Sequence, residues 1–151
     1  MIIKDIMASP VITVNKEDSV IDVAQILNKN EIHAVPVLEG KIPIGIVTES
    51  DFFTKGSVNI YLPSYIEMIK NGGMMSKVTS QEKESMEKLL EAKTKDIMSF
   101  PCITINQNAE VEEFMSMIRE KSLSSIPVVD DGGNLVGIIT LCDIIHLIKV
   151  S

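Results

Sequence analysis

Thr48, Ser50 and Asp51 stand at the end of the run Gly45-Ile46-Val47-Thr48-Glu49-Ser50-Asp51, and Thr140 and Asp143 hold the matching places in Gly137-Ile138-Ile139-Thr140-Leu141-Cys142-Asp143. A hydroxyl followed three residues later by a carboxylate, directly after an apolar run, marks the end of a buried strand and the start of a helix. Two kinds of chemistry suit that position. One is a capping box, in which hydroxyl and carboxylate satisfy the orphan N–H groups of the first turn. The other is anion capture, because free N–H groups and the positive end of the helix dipole hold a phosphate without a basic side chain. Two occurrences at equivalent places favour a shared functional role over chance capping.

The elements that must position these residues come from an internal duplication. Lys4-Asp5-Ile6-Met7 recurs as Lys95-Asp96-Ile97-Met98, an offset of 91 residues that also relates Pro10 to Pro101, Ile12-Thr13 to Ile103-Thr104 and Pro36-Val37 to Pro127-Val128. One extra residue in the turn Asp130-Asp131-Gly132-Gly133-Asn134 raises the offset to 92, at which the Gly, Ile, Thr and Asp of the second run follow. In each copy a short β-prone stretch, Val11 to Val14 or Cys102 to Ile105, precedes an amphipathic helix. The apolar stripes are Val20, Val23, Ala24 and Leu27 in the first copy and Val111, Phe114, Met115 and Ile118 in the second. Asp18 is the expected N-cap of the first helix and Asn108 that of the second. Strands follow at Ala34 to Leu38 and Ile126 to Val129, each with a Pro near its start, which suits an edge or strand-entrance position. Turns lead to strands at Ile42 to Val47 and Leu135 to Ile139, and final helices begin after Thr48 and Thr140. The expected fold is α+β, with two β-α-β-β-α repeats packed in pseudo-twofold symmetry and two equivalent clefts between them. The expected boundaries are 1–56, a helical insert or linker at 57–94, and 95–151. Within the insert, Leu62-Pro63-Ser64 reads as a helix start, Thr79 with Glu82 as a capping box, and Met86, Leu89 and Leu90 as an apolar stripe.

Composition narrows the function. The formal net charge of −7, with Arg119 the only arginine, argues against nucleic acid and against a bidentate arginine clamp on a phosphate chain. Hydrophobic residues make up 45% and aromatics 4%, which predicts a core of Ile, Val, Leu and Met. Cys102 and Cys142 lack disulfide or zinc spacing and read as small core residues. No stretch approaches the roughly 18 apolar residues of a membrane span, and no basic leader precedes the first repeat, so a cytoplasmic protein without a membrane partner is expected. No nucleophile with an adjacent base, no metal spacing and no catalytic carboxylate pair is visible, so no enzyme activity is expected.

These motifs resemble the paired cystathionine-β-synthase-type (CBS) domains, also called a Bateman module. The resemblance rests on Asp5-Ile6-Met7, Pro10, Ile12-Thr13-Val14, Ala34-Val35-Pro36-Val37 and Gly45-Ile46-Val47-Thr48 with Asp51. In the second copy it rests on Asp96-Ile97-Met98, Pro101, Ile103-Thr104-Ile105, Ile126-Pro127-Val128-Val129-Asp130 and Gly137-Ile138-Ile139-Thr140 with Asp143. It implies a regulatory fold that binds an adenine nucleotide (AMP, ADP or ATP) or S-adenosylmethionine, commonly forms homodimers and controls an effector protein. For one cleft it implies Asp143 on the ribose hydroxyls, Thr140 and the helix start on phosphate, Ile12, Ile32, Ala34 and Ile138 around the adenine, and His33 facing the phosphate. For the other it implies Asp51, Thr48 and Ser50 with Ile46, Ile103, Leu123, Ser124 and Ser125. Ser124 replaces the histidine there, so the His33 cleft is expected to bind more tightly. With one arginine, a mono- or diphosphate or a cationic adenosine derivative is easier to satisfy than a triphosphate. The alternative is a scaffold or dimerisation protein of the same fold with no ligand.

Overall fold

The computed structural model describes residues 1–56 and 91–150, without the side chains of 53–56 and 149–150. The expected features of residues 57–90, from the Leu62 helix start to the Met86 stripe, lie outside the described residues. The described chain holds β1 (Val14–Asn15), α1 (Val20–Lys29), β2 (Ala34–Glu39), β3 (Ile42–Thr48), α2 (Glu49–Gly56), α3 (Thr94–Ile97), β4 (Ile105–Asn106), α4 (Val111–Lys121), β5 (Ser125–Val129), β6 (Leu135–Thr140) and α5 (Leu141–Val150). Two three-stranded sheets result, ordered β1-β2-β3 and β4-β5-β6. This is the α+β, twice-repeated β-α-β-β-α fold that the duplication predicts.

The chain divides into two compact units that do not coincide with the sequence repeats. Unit one gathers Met1–Ile12, Glu39–Ile44 and the described residues from Pro101 onward; unit two gathers Thr13–Leu38 and the described residues of Gly45–Phe100. Each repeat therefore gives its opening segment to the unit built on the other repeat.

In unit one, the segment from Met1 is tied down by backbone bonds. The Ile3 N–H donates to the Ala109 carbonyl (2.9 Å) and the Lys4 N–H to the Gln107 carbonyl (2.8 Å). Ala8 and Ile138 exchange both backbone bonds, at 2.9 and 3.0 Å. Ile3, Ile105, Phe114, Ile126, Val128 and Ile139 form the buried core, with Ile6, Met7, Val111 and Ile118 packed against it. Met115, assigned by periodicity to the same helix stripe, is instead 43% exposed. A helix on one face of a small sheet buries a narrow stripe, and Phe114 fills it. β5 pairs parallel with β4 and antiparallel with β6, with a register shift between Val128 and Val129 that skips Val136.

Pro127 lies in the central strand of this sheet, opposite Ile138. Ile138 spends both its backbone groups on Ala8, so the backbone nitrogen of Pro127 points to its other flank. There β4 begins pairing only at Val128, and a residue without an N–H costs no ladder bond. Pro127 is thus neither at an edge nor at the strand entrance, where its place in the sequence put it: it is the third residue of the central strand, tolerated because its nitrogen faces a stretch where β4 has not begun to pair.

Unit two repeats the plan. β1 pairs parallel with β2, Val14 with Val37 and Asn15 with Leu38. Val20, Val23, Ala24 and Leu27 of α1 are all buried, as their spacing predicts. Its N-cap is Ser19, whose hydroxyl accepts from the Asp22 N–H at 3.1 Å, and not Asp18. Asp18 instead turns back to accept from the Asn15 N–H at 2.8 Å, and its carbonyl accepts from the Thr94 N–H and hydroxyl, both at 2.8 Å. The N-cap of α4 is Glu110, without a side-chain cap bond, and not Asn108. Here the main chain supplies the order that a cap would give, because the Val111 N–H donates to the Met1 carbonyl at 3.1 Å. Of the β-prone stretches Val11 to Val14 and Cys102 to Ile105, only the last residue of each is in a strand, and β1 and β4 run one residue beyond them to Asn15 and Asn106, where the pairing with β2 and β5 lies.

Candidate functional site

The repeated glycines show how the junctions are built. A Cβ on Gly45 would lie 2.7 Å from the Met98 sulfur and 3.0 Å from the Ser99 carbonyl oxygen. One on Gly137 would overlap the Met7 sulfur and come within 3.0 Å of the Ala8 carbonyl oxygen. The Lys-Asp-Ile-Met motif and the Gly-Ile-(Val/Ile)-Thr motif are thus two sides of one contact, made between repeats. That contact fixes the last residues of β3 and β6, and with them Thr48 and Thr140.

In unit two, the Thr48 N–H donates to Asp51 Oδ2 at 2.8 Å, with the Thr48 hydroxyl 3.3 Å from the same oxygen. In unit one, the Thr140 N–H donates to Asp143 Oδ2 at 2.8 Å, with its hydroxyl at 3.2 Å. This is one arm of a capping box, so the bland role of each aspartate is real: Oδ2 caps the helix. The two junctions differ at the other oxygen. Asp51 Oδ1 accepts from the Ser99 hydroxyl at 3.2 Å, and Asp51 is 6% exposed. Asp143 is half-buried, and its Oδ1 has no hydrogen-bond partner among the described residues. Ser99 is a site residue that the sequence reading missed. It follows the repeated Lys-Asp-Ile-Met directly, and that position was the available signal; Ala8 is its counterpart.

The remaining predicted residues fall as follows. His33 Nδ1 lies 2.8 Å from Glu49 Oε1, and the Glu49 N–H donates to the His33 carbonyl at 3.2 Å, so His33 is paired with an acid that the sequence reading did not give it. The equivalent Leu141 N–H donates to the Ser124 carbonyl at 3.2 Å, and Ser125 sits opposite Thr140 in the β5–β6 register. The Thr48 and Ser50 hydroxyls are 2.9 Å apart. Ile12 and Ile103, matched across the duplication, lie just before β1 and β4 and are 41% and 36% exposed. Ile32, Ala34, Ile46, Leu123 and Ile138 are half-buried.

Both cysteines are free. Burial pushes the Cys102 thiol up to about 11, whereas Cys142, expected as a small core residue, is exposed on the first turn of α5. Two residues before Ile144, it falls off the stripe that packs on the unit-one core. Among the described residues no cluster of three or more His, Cys, Asp or Glu could hold a metal, and no helix is long and apolar enough to cross a membrane.

Fold and junctions together define a duplicated α+β module with one helix-capping aspartate at each of the matched β3–α2 and β6–α5 corners. The CBS domain profile matches residues 3–56 and 95–150, and the chain belongs to the CBS domain family. It is 31% identical to the uncharacterized protein MJ1426 of Methanocaldococcus jannaschii, over 97% of this chain and 90% of that one. Among solved structures, the CBS domain of a CBS domain-containing membrane protein from Sphaerobacter thermophilus superposes with a TM-score of 0.75 at 28% identity, covering 97% of this chain and 87% of that chain. The CBS domain pair of protein MJ0100, solved in complex with methylthioadenosine and S-adenosylmethionine, shares the fold at a TM-score of 0.73 and 24% identity, over 99% of this chain and 97% of that chain.

Proposed function

We propose that this CBS pair is a regulatory module that binds an adenosine derivative, AMP, ADP, ATP or S-adenosylmethionine, and passes the binding event to a homodimer interface or an effector protein in the cytoplasm. The observation that carries this reading is Asp143. Its Oδ2 is locked by the Thr140 N–H and hydroxyl while Oδ1 has no hydrogen-bond partner among the described residues, which suits a carboxylate acceptor for a donor such as a ribose hydroxyl. Capping alone would use no more than Oδ2. The exposed Ile12 and Ile103 support the same reading, because matched apolar residues left open in a duplicated fold suit the faces of a planar base. That a protein of this fold holds methylthioadenosine and S-adenosylmethionine is in keeping with it.

The remaining roles follow the repeat. Ile12, Ile32, Ala34 and Ile138 contact the adenine of one ligand and His33 faces its phosphate. Thr48, Ser50 and Asp51, with Ile46, Ile103, Leu123, Ser124 and Ser125, serve a second. Ligand binding shifts the population of two arrangements of the module, and no bond is made or broken.

A thermal-shift series with AMP, ADP, ATP and S-adenosylmethionine tests the proposal. A ligand at 100 times its Kd adds about 2.7 kcal/mol, which raises Tm by roughly 5–10 °C in a chain of this size. Asp143→Ala should remove most of that shift. No shift with any of the four at millimolar concentration rejects the reading.

A second reading, assembly without a ligand, is favoured by α5. Leu141, Ile145 and Ile148 fall at i, i+4 and i+7 on one face and are 44%, 49% and 71% exposed. Light scattering of the purified protein, with and without Ile145→Glu, tests it.

A further inference from the structure

We infer that Ser99 sets the ranking of the two ligand positions, holding Asp51 in an internally satisfied state so that Asp143 takes the sugar hydroxyls first. The inference rests on the adenosine reading above and adds a positioning residue to it.

The two junctions share their main-chain geometry and differ, at the oxygen that faces away from the cap, in whether a side-chain donor reaches it. Both aspartates accept from the threonine N–H at 2.8 Å. Both threonine hydroxyls lie 3.2–3.3 Å from the same oxygen. Ser99 and Ala8 hold equivalent places, each exchanging two backbone bonds with the isoleucine two residues before the threonine: Ser99 with Ile46 at 2.9 and 3.1 Å, Ala8 with Ile138 at 2.9 and 3.0 Å. The main chain therefore brings residue 8 and residue 99 to the same position beside their carboxylates. Only Ser99 has a donor to place there, and its hydroxyl sits 3.2 Å from Asp51 Oδ1. Alanine has none, and Asp143 Oδ1 is left without a partner among the described residues.

A ligand hydroxyl arriving at Asp51 meets a buried carboxylate whose outer oxygen already accepts a hydrogen bond. It must displace or share that bond. At Asp143 it meets an oxygen that accepts no hydrogen bond from the described residues. A hydrogen bond to a charged acceptor is strong enough that losing or sharing one changes affinity by about tenfold.

Calorimetric titration with AMP, and with ADP, ATP and S-adenosylmethionine in turn where AMP does not bind, tests this on five forms of the chain: wild type, Ser99→Ala, Ser99→Thr, Ala8→Ser and Asp143→Ala. Circular dichroism first establishes that each is folded. The wild type should show one dominant site, lost in Asp143→Ala. Ser99→Ala should tighten the weaker site about tenfold and leave the dominant one unchanged, while Ser99→Thr, which keeps the hydroxyl, should behave as wild type. Ala8→Ser should weaken the dominant site by a similar factor. If Ser99→Ala leaves the weaker site unchanged or weakens it, the inference is overturned while the adenosine reading stands. If the dominant site survives Asp143→Ala, the ranking is reversed and the inference is again overturned. Absence of AMP, ADP, ATP or S-adenosylmethionine binding in every form overturns the adenosine reading and this inference together.

Discussion

Replacing Gly45 with alanine should destabilise the protein by about 2–4 kcal/mol, through lack of space and not through backbone conformation. Gly45 does not have a positive φ, so alanine tolerates its backbone. The added methyl would lie 2.7 Å from the Met98 sulfur, 3.2 Å from Met98 Cγ and 3.0 Å from the Ser99 carbonyl oxygen. A thioether chain can swing aside, which limits the cost of the first two contacts. The carbonyl cannot, because Ser99 is held to Ile46 by bonds of 2.9 and 3.1 Å. Overpacking costs about 1–3 kcal/mol, and straining two backbone bonds worth about 0.5–1.5 kcal/mol each adds to it. Urea and thermal denaturation of wild type, Gly45→Ala, Met98→Ala and the Gly45→Ala/Met98→Ala pair measure the outcome. Tm should fall by roughly 5–15 °C in the single variant. Part of that loss should persist in the pair after allowing for Met98→Ala alone, since removing the sulfur leaves the carbonyl contact. A single variant within about 0.5 kcal/mol of wild type, or full recovery in the pair, would refute the reasoning by showing that the Thr94–Phe100 segment moves freely.

Two further outcomes are expected. Lys95, then Lys93, hydrogen-bond to the Glu17 carboxylate at 2.9 and 3.0 Å and lower it from 4.5 to about 2. A lowered folded-state value means that this contribution is present above pH 4.5 and is lost as pH falls toward 2. Glu17→Gln should therefore lower Tm modestly at pH 7, less in high salt because the group is exposed, and the gap to wild type should close between pH 4.5 and 2. A gap that stays constant down to pH 2 would assign the effect to something other than charge. Iodoacetamide at pH 8 should modify exposed Cys142 well ahead of half-buried Cys102, whose thiol is pushed up to about 11 by desolvation. Mass spectrometry of peptides decides, and equal labelling rates for both would contradict the raised Cys102 thiol.

Much of the fold was legible along the chain because its signals are short-ranged. The stripe Val20, Val23, Ala24 and Leu27 is a helix face whatever it packs against, and all four side chains are buried. Thr48 and Thr140 read as strand-to-helix corners because the apolar run, hydroxyl and carboxylate lie within a few residues. The caps of α1 and α4 were misplaced for a related reason. Asp18 and Ser19 are both good caps locally, and the distant Thr94, bonded to the Asp18 carbonyl, fits the observed choice of Ser19.

What the sequence determined by itself was the duplication, the order of elements in each copy and the identity of the threonine–aspartate corners, since periodicity and capping act over one or two turns of chain. Only the tertiary structure decided that each opening segment serves the unit built on the other repeat, that Gly45 and Gly137 make room for Met98 and Met7, and that Ser99 reaches Asp51 across 48 residues of sequence. Contacts of that span leave no period and no local motif. They depend on where the backbone bonds of Ser99 with Ile46 and Ala8 with Ile138 bring two distant segments together, and there the Ser99 hydroxyl reaches one of two aspartates that share the same capping bonds.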